Sequence, residues 1–201
     1  SASRERDILV LRHENPALDR ESCRVLHEAI RNVSRSGIEA EFLPTKGIGG
    51  ILRLRGAVSK AVTDSNPIIE GRPLMEVLPL RSMRNDSRAP GTARFLNDYL
   101  RWSHQVLSQH PVNRERMKRG LPPINAVGTQ RAGAMARLPS FQDKWGLKPL
   151  LVASGSVYRG LGRMLGMEIR EVVDTDDPGG DLRERLRIAC QAKEYDFVHV
   201  H

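Results

Sequence analysis

Apolar residues recur along this chain with two different periods, and the changes of period mark its elements. Asp7–Arg12 is a short, mostly apolar run that predicts a strand. Asp19 stands where a helix N-cap belongs. Cys23, Leu26, Ala29, Ile30 and Val33 follow at three-to-four spacing, which predicts an amphipathic helix closed by Gly37. The period then falls to two. Ile38–Leu43 and Ile51–Arg55 alternate apolar and charged side chains, as half-exposed antiparallel strands do, with Gly56 near a turn and Ala57–Thr63 returning. Thr63–Pro67 and Gly71–Pro73 carry loop punctuation, and Ser82–Gly91 is polar and expected to be exposed and flexible. Phe95, Tyr99, Trp102 and Val106 mark one face of a helix over about Thr92–Gln109. Leu121–Lys148 has no clear period, and irregular passages of that length inside a compact domain are usually functional.

The last third changes again. Leu150–Ala153, Met167–Val172 and Phe197–Val200 are apolar segments separated by two helical stretches. The first helix has Val157, Leu161, Met164 and Leu165 on its apolar face and Gly166 as its stop. The second is expected to start at a capping box of Asp181 and Glu184 and to bury Leu182, Leu186, Ala189 and Cys190. Strand, helix, strand, helix, strand is the pattern of a parallel βαβαβ sheet. The expected fold class is α/β, an α+β front part with an antiparallel sheet followed by that parallel segment. Open α/β sheets carry their chemistry just beyond the carboxyl ends of the strands. The chain stops at His201, at such a strand, so a piece of an enzyme is expected rather than a whole one. Ser1–Asp7 has neither an initiator Met nor a signal-peptide core, and is expected to be a second cut boundary.

Composition narrows the class. Charged residues are 28% and hydrophobic residues 39%, a balance that argues against wholesale disorder, and no apolar run approaches a membrane span. Cys23 and Cys190 lie on the apolar faces of expected helices, which points to buried thiols and a reducing cytoplasm rather than a disulfide. The net charge is +8, with a pI near 10.1, and arginine supplies most of the positive charge. Its planar fork suits phosphate and carboxylate, so the expected partners are a small anionic ligand or nucleic acid. Aromatic residues are only 4%, and the basic residues are interleaved with acids, which leaves few stacking platforms for single strands.

Several groups carry candidate chemistry. Ser154-Gly155-Ser156, between a strand and a helix, offers backbone N–H groups to an anion, with Arg159 one turn on. The same residues also suit an ordinary serine-capped turn. Asp174-Thr175-Asp176-Asp177 could touch a divalent metal, though with Pro178-Gly179-Gly180 behind it a solvated turn fits better. Asn125, Gln130 and Arg131 lie in the irregular passage, where amides and guanidinium can recognise a small acid or satisfy loop backbone. His199 and His201 share a strand face but lack a visible third metal ligand. No Walker motif, nucleophile elbow, His-Glu-x-x-His or CxxC pair is present.

Taken in order, six segments resemble a known family. They are His110-Pro111-Val112-Asn113-Arg114, Pro123-Ile124-Asn125, Gly128 to Arg131, Leu138–Lys148, Gly160–Gly166 and Tyr195–His201. The combination is similar to the archaeal-type cofactor-independent phosphoglycerate mutases of the alkaline phosphatase superfamily. That resemblance implies a substrate-facing cap over residues 1–147 and part of an alkaline-phosphatase-like metal-binding core over 148–201. It also implies a glycolytic activity in which a serine takes the phosphoryl group from one glycerate oxygen and returns it to the other. Divalent cations (Mn, Mg or Zn) are expected in the full-length protein and none in this piece, whose nucleophile and metal ligands would lie on segments before and after it. The implied partners are a small phosphorylated acid and those missing core segments, in the cytoplasm and away from membranes.

Within that resemblance, Asn125, Gln130, Arg131, Ser154 and Arg159 are the expected substrate contacts, no residue here is expected to be catalytic, and the piece alone is expected to be inactive. Pro67 is followed by Ile68-Ile69 where the family commonly has a His-Asp pair. A divergent enzyme acting on another phosphorylated or phosphonate acid is therefore an alternative. A basic nucleic-acid-binding module, or an interaction domain without catalytic flanks, is another.

Overall fold

The computed structural model describes residues 2–5, 8–14, 16–45, 47–83 and 85–201. The chain divides into two compact units, Ser1–Ala134 and Met135–His201.

The first unit opens with an antiparallel pair, β1 (Ala2–Glu5) and β2 (Ile8–Leu11). The expected strand from Asp7 is β2, with Asp7 itself outside the described residues. Backbone hydrogen bonds also join β2 to the 71–74 segment, Leu11 N–H donating to Arg72 O at 2.9 Å and Leu74 N–H to Leu9 O at 2.8 Å. Helix α1 spans Arg20–Ala29, capped by Asp19, whose carboxylate accepts the Ser22 N–H at 2.8 Å.

This helix is shorter than its apolar spacing predicts. It stops before Ile30, and Asn32–Arg35 is strand β3, so Val33 belongs to a sheet. Ser36 and Gly37, at φ 53° and 74°, form the tight turn of a hairpin to β4 (Ile38–Pro44), rather than a helix stop. Two consecutive left-handed residues match the twist of the flanking strands, and that geometry overrides the helical period. Strand β5 (Gly50–Gly56) completes a three-stranded antiparallel sheet in the order β3-β4-β5, with Ala40 opposite Leu54 and Phe42 opposite Leu52. The expected return over Ala57–Thr63 is only an isolated bridge, Val62 to Pro79.

Helix α2 (Ala89–Gln109) covers the sheet. Phe95 and Tyr99 pack with Ile38 and Ala40, Ala93 and Leu96 with Val62 and Val77, and Leu107 with Leu26, Ile30, Phe42 and Ile124. The Tyr99 hydroxyl donates to Ile30 O at 3.0 Å, and burial pushes its phenol pKa upward. Ser82–Gly91 is less free than its polarity suggests. Asp86 accepts from Ser59 Oγ at 2.6 Å and from Arg88, and Ala89 is buried where α2 begins. Helix α3 (Pro111–Lys118) follows, and its Asn113 is wholly buried. The Asn113 amide donates to Leu107 O (2.7 Å) and Ile124 O (2.9 Å) and accepts the Ile124 N–H (2.7 Å).

In the second unit a short helix, α4 (Phe141–Trp145), is capped by Ser140. Three parallel strands follow, β6 (Pro149–Ala153), β7 (Glu168–Glu171) and β8 (Phe197–Val200), in the order β7-β6-β8. They are joined by α5 (Ser156–Met164) and α6 (Pro178–Gln191). All five residues of β6 are buried. The sheet class is as expected, but the helix faces are not. Helix α5 turns Gly162 to the sheet, where an added Cβ would lie 2.7 Å from Leu151 Cδ2, so Val157, Leu161 and Met164 are exposed. Helix α6 begins one turn early, at Pro178, with Asp177 as its cap. It buries Arg185 while Leu182, Leu186 and Cys190 are exposed. Cys23 alone of the two thiols is buried.

Replacing Asn113 by Ala strands the buried N–H and carbonyl of Ile124, while Leu107 O keeps the His110 N–H. Asn113→Ala is expected to lower stability by about 2–4 kcal/mol in chemical denaturation, whereas removal of an exposed amide such as Gln130 changes it by about 0.5 kcal/mol or less.

Candidate functional site

The carboxyl ends of the parallel strands set the first candidate region. The β6-to-β7 and β7-to-β8 connections leave in opposite directions, because β7 and β8 lie on either side of β6. Right-handed crossovers then place α5 and α6 on opposite faces, which makes the ends of β6 and β7 a topological switch point, the place where open sheets form their crevice. Ser154 follows β6 and Asp174 lies three residues after β7. Ser154 Oγ donates to Asp174 Oδ2 at 2.8 Å, and Arg185 from α6 donates to Asp174 Oδ1. Arg159, on the first turns of α5, pairs with Glu171 at 3.1 Å. Beside them the Tyr158 and His201 rings stack, with centroids 3.5 Å apart.

The acidic loop after β7 is a built hydrogen-bond network. Asp181 accepts from both the N–H and the hydroxyl of Thr175, each at 2.8 Å, and Asp177 accepts the Gly180 N–H at 3.0 Å. Those Thr175 bonds, the backbone one foremost, hold the Asp181 pKa below its ordinary value. Among the described residues no three His, Cys, Asp or Glu side chains group as metal ligands. Asp177 and Asp181 hold the start of α6 and Thr175, and His201 is stacked on Tyr158. The donor set does not fit a divalent cation.

The second region lies in the first unit. Gly128–Arg131 is clasped to Asp64–Asn66: Ser65 N–H donates to Thr129 O at 2.8 Å, Thr129 N–H to Ser65 Oγ at 2.8 Å and Arg131 N–H to Asp64 Oδ1 at 2.7 Å. Arg131 and Ile68, at φ 58° and 64°, are two of the three non-glycine residues with positive φ among those described. A β-branched residue in that region is a true outlier. The side chains of Gln130 and Arg131 are exposed on this clasp.

Asn125 is elsewhere. Its buried amide accepts the Ala2 N–H at 2.8 Å and donates to Ala2 O at 3.0 Å, which ties the start of the irregular passage to β1. Of the five expected contact residues, Gln130 and Arg131 thus share one loop, Ser154 and Arg159 flank one crevice, and Asn125 serves backbone. Sequence reasoning missed Arg185, whose charge reads as helix surface, and Asp64, whose partner is 67 residues away. Asp174 was noticed, but its pairing with Ser154 has no local signature.

A parallel sheet with a switch-point crevice, carried in one chain with an α+β unit, makes this an α/β protein. The family model described as 2,3-bisphosphoglycerate-independent phosphoglycerate mutase matches residues 1–113. Enzymes so named from Methanopyrus kandleri and Methanocaldococcus jannaschii are 35% and 30% identical, over 88% and 100% of this chain and 42% and 49% of their own. A solved cofactor-independent phosphoglycerate mutase from Thermoplasma acidophilum superposes with a TM-score of 0.66 at 27% identity, covering 99% of this chain and 51% of that one. The chain belongs to the 2,3-bisphosphoglycerate-independent phosphoglycerate mutase family. It spans about half the length of the curated relatives it matches.

The lowered Asp181 pKa makes stability depend on pH. Its folded-state value lies below its unfolded value, so its contribution is complete above about pH 4 and is lost as pH falls through the folded pKa. In acid denaturation, Asp181→Asn is expected to flatten the fall in stability below pH 4. An unchanged acid limb would show that Thr175 does not favour the ionised carboxyl.

Proposed function

We propose that this chain forms the substrate-facing part and a portion of the core of an enzyme that interconverts 3-phosphoglycerate and 2-phosphoglycerate. The observation that carries the reading is family membership over a chain that spans half of its relatives. The serine that accepts the phosphoryl group, and the ligands for the divalent cations that activate it, would come from other segments of the polypeptide. Residues 1–147 would act as the cap and 148–201 as core.

In this reading the chain binds and orients. Arg131, exposed on the clasped loops, would hold the substrate's phosphate or carboxylate, with Gln130 beside it to orient a hydroxyl. Ser154 and Arg159 would meet the transferring group at the crevice. The other segments of the same polypeptide would cover the apolar residues left open in the second unit, Val157, Leu161, Met164, Leu182 and Leu186. Ile68 and Ile69, exposed where the family commonly has a His-Asp pair, favour a second reading, in which the enzyme acts on another phosphorylated or phosphonate acid. Nucleic acid is the weaker partner, since many arginines are held in local pairs such as Arg24–Glu21, Arg53–Glu41 and Arg187–Glu184. No helix among the described residues is long and apolar enough to cross a membrane.

The test is turnover. A full-length protein with Mn²⁺ or Mg²⁺ is expected to form 2-phosphoglycerate from 3-phosphoglycerate in a coupled assay, and the 201-residue chain alone is expected to form none. Loss of one charge-assisted phosphate contact costs about 1.5–3 kcal/mol, so Arg131→Ala should raise KM by roughly tenfold or more. A full-length protein without turnover on 3-phosphoglycerate would remove this reading, and a wild-type KM in Arg131→Ala would remove Arg131 from the site.

A further inference from the structure

We infer that Arg185 is an anion-binding residue of the switch-point crevice, and that the Asp174 carboxylate occupies the place of a phosphate-like ligand until one displaces it. The inference deepens the reading above at its crevice and rests on that reading only for the identity of the natural ligand.

Arg185 is an unusual residue for an interior. Only 7% of it is exposed, and its Nε is buried with no hydrogen-bond partner. A buried guanidinium is costly unless paired and fully hydrogen-bonded, and here one donor goes unused. Its Nη2 donates to Asp174 Oδ1, and Asp174 Oδ2 accepts a hydrogen bond from the Ser154 hydroxyl at 2.8 Å. The guanidinium therefore ends at the crevice between β6 and β7, where the topology of an open sheet places ligands. Helix α5 begins there too, and its cap position Gly155 provides no side-chain hydrogen bond to the first-turn N–H groups. A buried arginine with a spare donor, a serine hydroxyl and an uncapped helix start together make an anion cradle.

Asp174 fills that cradle with the chain's own anion. Its side chain is 69% exposed while that of Arg185 is 8% exposed, so the carboxylate is the partner free to leave. A dianion seated on Arg185 and Ser154 would displace a monoanion and could use the idle Nε–H. The neighbouring pair repeats the theme weakly. Arg159 and Glu171 are both substantially exposed, and such a pair is worth little to break.

The probe is inorganic phosphate, followed on the unmodified chain by the Arg185 Nε–Hε resonance in ¹⁵N NMR. A saturable shift at millimolar phosphate is expected, and no shift up to 50 mM would overturn the inference. Asp174→Asn keeps a partner for Ser154 but removes the competing charge, and is expected to tighten phosphate binding by tenfold or more. Asp174→Asn combined with Arg185→Gln should lose that gain. Unchanged affinity in folded Asp174→Asn would also overturn it. If Asp174→Asn does not fold, the resonance experiment decides alone. Phosphate binding at Arg185 without any turnover of 3-phosphoglycerate by the full-length protein would sink the functional reading and leave this one standing.

Discussion

Strand β6 has no exposed face, and the second unit is arranged around that fact. All five of its residues are buried, so it needs a strand on each edge and a helix on each face. Parallel neighbours cannot be reached by a tight turn, and the chain must cross over through α5 and α6. Crossovers in opposite directions bring Ser154 and Asp174 to adjacent strand ends. The chemistry available at the crevice follows from the burial of Leu150, Leu151 and Val152.

The first unit solves a different problem. Its antiparallel sheet needs cover on one face only, and α2 supplies it through Ala93, Phe95, Leu96, Tyr99 and Leu107. Buried polar side chains among the described residues there find backbone partners: Asn113 at Leu107 and Ile124, Tyr99 at Ile30, Asn125 at Ala2. Around that packed frame the 64–66 and 128–131 loops clasp one another, and backbone strain concentrates at Ile68 and Arg131. The clasp fixes the backbone of these loops and leaves the side chains of Gln130 and Arg131 exposed.

At the ends of β6 and β7 the acidic loop serves the chain's own structure. The Asp174-Thr175-Asp176-Asp177 run, which reads better as a solvated turn than as a metal loop, is a bonded turn: Asp174 meets Arg185 and Ser154, Asp177 caps α6, and Asp181 holds Thr175. Arg185 is the reverse case, an arginine in a charged stretch that turns inward.

Periodicity made β2, β4, β5, α1, α2 and the parallel βαβαβ pattern of the last third legible, because alternation and three-to-four spacing report burial directly, whereas β1 and β3 were not foreseen. Family resemblance was legible in short ordered segments from His110 to His201. Three things were not. The hairpin at Ser36-Gly37 depends on two left-handed residues that read equally well as a helix stop. The inward faces of α5 and α6 depend on how closely each backbone approaches the sheet, so Gly162 and Arg185 turn inward where leucines and methionine were expected. The pairings Ser154–Asp174, Arg185–Asp174 and Arg131–Asp64 join residues that no local pattern connects, and only the folded sheet and the clasped loops bring them within hydrogen-bond reach.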